Sequence, residues 1–103
     1  MIIRIFRAVA QPGKGSEFER MLREASMPML DGREGLISQY FGRPVASNVN
    51  EFVAVTVWRD PDSLRAFAGD NWENAVIPEE ERPVIAESSI EHYEVLERGD
   101  PET

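Results

Sequence analysis

Residues 51–68 read EFVAVTVWRDPDSLRAFA, and the fold turns on how this stretch is parsed. Glu51 to Arg59 is rich in β-branched and aromatic residues and reads as a strand. Asp60-Pro61 then marks a helix start. Asp accepts from the free N–H groups of a first turn, and Pro, which has no N–H, suits the first helical position. Leu64, Phe67 and Ala68 supply an apolar face, and Gly69 can end the helix in a left-handed conformation. A strand running directly into a short amphipathic helix is half of a β-α-β unit, so its partners must lie on either side.

Upstream, residues 2–10 (IIRIFRAVA) read as a first strand, closed by the turn Gln11 to Gly15. Ser16-x-x-Glu19 fits a capping box, and Phe18, Met21, Leu22, Ala25 and Met29 follow at helical period. Pro28 removes a ladder N–H, so the helix should kink or end near it. Asp31 to Gly35 is a loop and Leu36 to Arg43 a second strand. The short polar stretch Pro44 to Asn50 turns that strand back as a hairpin. Downstream, Asp70 can cap a further short helix through Trp72, Ala75 and Val76. Pro78 to Glu87 is an acidic connector, with Glu79-Glu80-Glu81 as a solvated face, and Ser89 to Arg98 is the last strand. Residues 1–97 form one domain, and 98–103 a polar tail.

The order β-α-β-β-α-β is that of a ferredoxin-like α+β fold: a four-stranded antiparallel sheet with both helices on one face. Such a sheet has one uncovered side. Yet Ile3, Ile5 and Val9 share one parity of the first strand while Ile2, Phe6 and Ala8 share the other. Val53, Val55 and Val57 likewise oppose Phe52, Ala54 and Trp58. Both faces are apolar, and a chain of 103 residues has no spare element to cover the second. A second copy is the economical cover, so a homodimer is expected. Arg4 and Arg7 fall on opposite parities, and whichever is buried should need a carboxylate, from Glu91 or Glu94.

Composition excludes several functions. The chain has 11 Lys and Arg against 19 Asp and Glu, a net charge of −8, with no Cys and one His. There is no thiol nucleophile or disulfide, and one His cannot build a multi-histidine metal site within a subunit. The acidic balance argues against nucleic acid and against an anionic membrane surface. Arginines interrupt the apolar N-terminal run, so it reads as neither signal peptide nor membrane span, and the cytoplasm is the default compartment.

The run Val57-Trp58-Arg59-Asp60-Pro61-Asp62-Ser63-Leu64-Arg65-Ala66-Phe67 resembles the antibiotic biosynthesis monooxygenase family. So do the Pro12-Gly13 turn, the helix holding Phe18 and the closing His92-Tyr93-Glu94-Val95-Leu96. The resemblance spans residues 1–97 and implies a dimeric α+β barrel formed by two ferredoxin-like subunits. It implies an oxidoreductase: a monooxygenase free of cofactor and metal, acting on an aromatic or polyketide-like small molecule. A non-catalytic ligand-binding or stress-response module of the same fold is the alternative.

Haem-degrading relatives use an Asn, a Trp and a His at positions that fall here at about Phe6, Phe67 and Val76 or Ile77. None of these offers a lone pair to iron. Quinone-forming relatives use Asn, Trp and Tyr around a dry pocket. Asn71 and Tyr40 are the expected catalytic groups of the types in that pattern. His92, the one imidazole, is the expected general base near neutral pH, and the expected pocket walls are Trp58, Phe67, Trp72, Phe6 and Tyr93. Core packing competes with function for Trp58, Tyr40 and Tyr93, and a hydrogen-bonded structural role competes for His92.

Overall fold

The β-rich stretches form β1 (Ile2–Ala10), β2 (Leu36–Gly42), β3 (Glu51–Trp58) and β4 (Ile85–Glu94). The structure, a computed structural model, describes residues 1–46 and 50–99. The strands make one sheet in the order β2-β3-β1-β4, with every neighbouring pair antiparallel. The helical segments pack on one of its faces: α1 (Gly15–Met21), a π-helical turn (Leu22–Ser26), α2 (Met27–Leu30), α3 (Pro61–Ala68) and a 3-10 helix (Glu79–Val84). This is the ferredoxin-like architecture that the element order implies. Part of the β2–β3 connection and the end of the polar tail, residues 100–103, lie outside the described residues.

The β3–α3 unit forms as read. Asp60 caps α3 by accepting from the Ser63 N–H at 2.7 Å, Pro61 is the first helical residue, and Gly69 ends the helix at φ 83°. The first helix differs from expectation. It starts at Gly15, because the Phe18 N–H already bonds the Lys14 carbonyl at 2.9 Å. Ser16 is therefore inside the helix and the capping box does not form. The π-turn then carries the rod past Pro28. The Met27 N–H reaches back five residues to the Leu22 carbonyl, and this wider turn sits directly before the proline.

Two further expectations are corrected. Asp70 to Asn74 is a turn, not a helix. The Arg4 guanidinium takes the carbonyls of Trp72 and Asn74, acceptors that a growing helix would need for its own ladder. The last strand runs from Ile85 to Glu94 rather than from Ser89 to Arg98. Its limits are set by β1. Ala10 pairs with Ile85 through an irregularity at Val9, Ile2 pairs with Glu94, and the Val95 N–H closes the ladder on the Met1 carbonyl at 2.9 Å.

The layer between helices and sheet holds two apolar clusters. Phe18, Leu22, Phe52, Ala8, Ala10 and Val84 form one, with Phe18 edge-on to Phe52. Leu30, Trp58 and Leu64 form the other, with Phe67 stacked on Trp58 at 5.2 Å. Phe41 packs against both. The outer sheet face carries Ile3, Ile5, Val9, Val53, Val55 and Val57, each half-buried. Among the described residues no element covers it.

Candidate functional site

Between the two clusters a narrow cleft of about 50 Å³ opens toward solvent. Its floor follows from strand register. Phe41, Ala54, Phe6 and Ile90 stand abreast across all four strands on the covered face. Ala54 is the small member between two phenylalanines, and all four residues line the cleft. The next row on the same face is polar: Gln39, Thr56, Arg4 and His92. Arg4 and Thr56 line the cleft as well. The helical side contributes Leu22, Ser26, Met29 and Leu30, with Phe67, Val76 and Glu81 completing the walls.

The polar row is largely saturated with hydrogen bonds. Arg4, 5% exposed, donates to the Trp72 carbonyl at 2.5 Å, to the Asn74 carbonyl at 3.0 Å and to His92 Nε2 at 2.8 Å. The sequence reading asked for a carboxylate here; two backbone carbonyls and an imidazole take that place. Burial lowers the Arg4 pKa to about 10, so the group is still a cation at neutral pH. Because Arg4 has only donors, His92 Nε2 is an acceptor and the ring is neutral with its proton on Nδ1. Burial, and then the neighbouring charge of Arg4, lower the His92 pKa, with Glu73 opposing. Thr56 Oγ1 accepts from the Trp58 indole N–H at 2.9 Å, which leaves its own O–H free to donate. Gln39 Oε1 is buried without a partner among the described residues.

Of the predicted pocket walls, Phe6 and Phe67 line the cleft. Trp58 is fully enclosed behind them. Trp72 lies edge-on to His92 at 5.0 Å, and both line a separate hollow together with Tyr93. The predicted catalytic groups are not brought together within one subunit. His92 contacts Arg4 under the helices, Asn71 is exposed on the Asp70 to Asn74 turn, and Tyr40 stands 67% exposed on the opposite sheet face. Tyr93 is also on that outer face, donating to Glu91 Oε2 at 2.6 Å. Arg7 pairs with Glu91 there.

Sequence reasoning missed Ser26 and Glu81. Ser26 stands four residues after Leu22, at the polar edge of the same helical face, and the π-turn between them ends with it buried. Glu81 sits in the acidic run read as a solvated face, yet it is 1% exposed. The single available signal was its place three residues before the apolar Val84, which the 3-10 helix sets on the same side.

Residues 1–76 match the family model for antibiotic biosynthesis monooxygenases. No curated protein matches the chain by sequence. Solved structures match it well in shape. An asparagine-to-alanine mutant of SnoaB, a cofactor-independent oxygenase from Streptomyces nogalater, superposes with a TM-score of 0.73 at 19% identity, covering 94% of each chain. The haem degrader MhuD of Mycobacterium tuberculosis, with two haems in its active site, gives 0.72 at 18% identity, covering 97% of this chain and 100% of the other. A Deinococcus radiodurans protein assigned to the same family gives 0.77 at 12% identity, covering 97% of each. At these identities the likeness is one of fold.

Proposed function

The chain is a member of the antibiotic biosynthesis monooxygenase family, and from that premise we propose that it is a cofactor-independent monooxygenase of an aromatic or polyketide-like small molecule. The observation that carries this reading is the adjacency of the two rows: an aromatic floor next to a row of hydrogen-bond donors in one cleft. A phenolic ring lies on Phe6 and Phe41, against Phe67. Its oxygen, reaching the polar row, meets Arg4 and the Thr56 hydroxyl.

An electron-rich phenol that loses its proton gains carbanion character at ring carbon and reduces dioxygen directly. One oxygen atom becomes a new carbonyl at a substrate CH2, the other leaves as water with both hydrogens, and the substrate supplies all the electrons. Arg4 favours the anionic state by donating to its oxygen in a water-poor setting. His92 acts as a positioning residue that holds Arg4. Asn71 and Tyr40 can join such a site only from the turn and from the outer face, respectively.

Haem is a poor fit to these residues. Phe6, Phe67 and Val76, which the resemblance sets at about the positions of the Asn, Trp and His of haem-degrading relatives, line the cleft without offering iron a lone pair, and the one imidazole is outside the lining with its Nε2 engaged by Arg4. Two copies pairing through the outer face would form the dimeric barrel. None of the described helices is long and apolar enough to cross a membrane, and a cytoplasmic location is part of this proposal.

The test is oxygen uptake with a panel of polycyclic phenols, run beside thermal melts. Ligand that binds the native state raises Tm. Stabilisation by phenols with oxygen consumption, lost in Arg4→Met, supports the reading. Stabilisation without oxygen uptake supports the second reading, a non-catalytic binder, which is favoured by the dispersal of His92, Asn71 and Tyr40. No stabilisation by any phenol removes both.

A further inference from the structure

Glu81 is the most deeply buried charged side chain among the described residues, at 1% exposure, and it lies on the cleft wall. Ser26 Oγ donates to its Oε2 at 2.5 Å. No protein partner is seen for the other oxygen, Oε1, among the described residues. No ion pair reaches Glu81 there. Burying a carboxylate without a cation is costly, and a leucine would fill the same space at no such cost.

A tether between the 3-10 helix and the π-turn would explain the Ser26 bond. It would not explain a charged acceptor, with one oxygen unpartnered among the described residues, on the wall of an apolar cleft. Across the cleft, the sheet presents donors in Arg4 and Thr56, so Glu81 is the acceptor of opposite kind.

We propose that Glu81, oriented by Ser26, is the specificity-determining residue of the cleft, its free oxygen accepting a hydrogen bond from a hydroxyl of the bound aromatic ligand. This rests on the reading of the cleft as an aromatic-ligand site. It adds a rule of choice: hydroxylated rings are taken in preference to O-alkylated rings, which have nothing to donate. Burial holds the Glu81 pKa above the usual carboxylate range, opposed by Ser26 and assisted by Glu80. A ligand donor would relieve that desolvation.

The experiment measures binding of 1-naphthol, 1-methoxynaphthalene and 1,4-naphthoquinone by titration calorimetry to wild type, E81Q, E81L and S26A. Near-UV circular dichroism confirms the fold of each variant. Wild type should bind naphthol about tenfold more tightly than its methyl ether, the usual worth of a hydrogen bond to a charged group. E81L should abolish that ratio. E81Q can still accept from Ser26, so a tether survives it, but its amide turns a donor to the cleft. Preference should therefore move from naphthol toward naphthoquinone. S26A should narrow the naphthol ratio without abolishing binding. An unchanged ratio in E81Q and E81L overturns the role of Glu81 while leaving the cleft as an aromatic site. Failure of wild type to bind any of the three probes overturns the cleft reading and this inference with it.

Discussion

The two faces of the sheet each depart, in opposite ways, from what a lone subunit in water would favour. The covered face buries Arg4 and Thr56 beneath helical segments that add Ser26 and Glu81, while the uncovered face presents valines and isoleucines. Each arrangement carries a free-energy penalty in isolation, one for desolvated polar groups and one for exposed apolar area. The contrast teaches where each face would be completed under the proposed function: the inner by a small ligand, the outer by a second copy. Substitutions on the two faces should therefore fail in different assays.

The largest effect belongs to the inner face. Trp58 is fully enclosed, stacked on Phe67 and packed with Leu30 and Leu64. Trp58→Ala should cost about 3–5 kcal/mol in urea unfolding, a large share of the roughly 5–15 kcal/mol available to a domain. A loss under about 1 kcal/mol would show that the layer under α3 is not the core. On the outer face, Val55 stands between Ile5 and Tyr40 in the cross-strand register. Val55→Asp would place an uncompensated charge in the proposed dimer interface. It should weaken dimerisation by about 3 kcal/mol, on the order of a hundredfold, with the melting of the subunit little changed. Analytical ultracentrifugation reads this. A dimer that persists in Val55→Asp would break the comparison, because the outer face would then need another cover.

Arg4→Met sits lower in the series. It leaves the carbonyls of Trp72 and Asn74 unpaired, which should cost about 1–3 kcal/mol. Faster amide exchange in the turn from Asp70 to Asn74 should accompany that loss. Unaltered exchange would mean that Arg4 does not hold the turn.

The fold was legible because its signals are local. The parity of Ile3, Ile5 and Val9 against Phe6 and Ala8 names both faces, and Asp60-Pro61 with Gly69 brackets α3. The site was less legible because it depends on register and on backbone exceptions. Nothing in the spacing of Gln39, Thr56, Arg4 and His92 shows that pairing sets them abreast. The π-turn that brings Ser26 to Glu81 departs from the period by which helix faces are read. The Asp70 turn misled for a related reason: its residues suit a helix, and a side chain 68 positions earlier in sequence claims its carbonyls.

The smallest effect, a pH slope, separates His92 from Glu81 by its sign. His92 is held neutral by burial and by Arg4, with Glu73 as the opposing charge and Trp72 packed on the ring. Its folded pKa lies below its unfolded value of about 6.5. The unfolded chain thus binds a proton that the folded chain refuses. Stability from this group is complete above pH 6.5 and declines as the pH falls toward the folded pKa. Glu81 has the opposite sign. Its folded pKa is raised, so it lowers stability as pH climbs from the ordinary carboxylate value toward the folded one. His92→Asn can still accept from Arg4 but does not titrate, so its Tm should fall less than wild type between pH 7 and pH 5. E81Q should raise Tm near pH 7 relative to wild type and converge with it at low pH. Parallel Tm curves for wild type and His92→Asn would mean that His92 is solvated and charged alike in both states. The inner face would then hold one desolvated titratable group, Glu81, beside the permanent cation of Arg4.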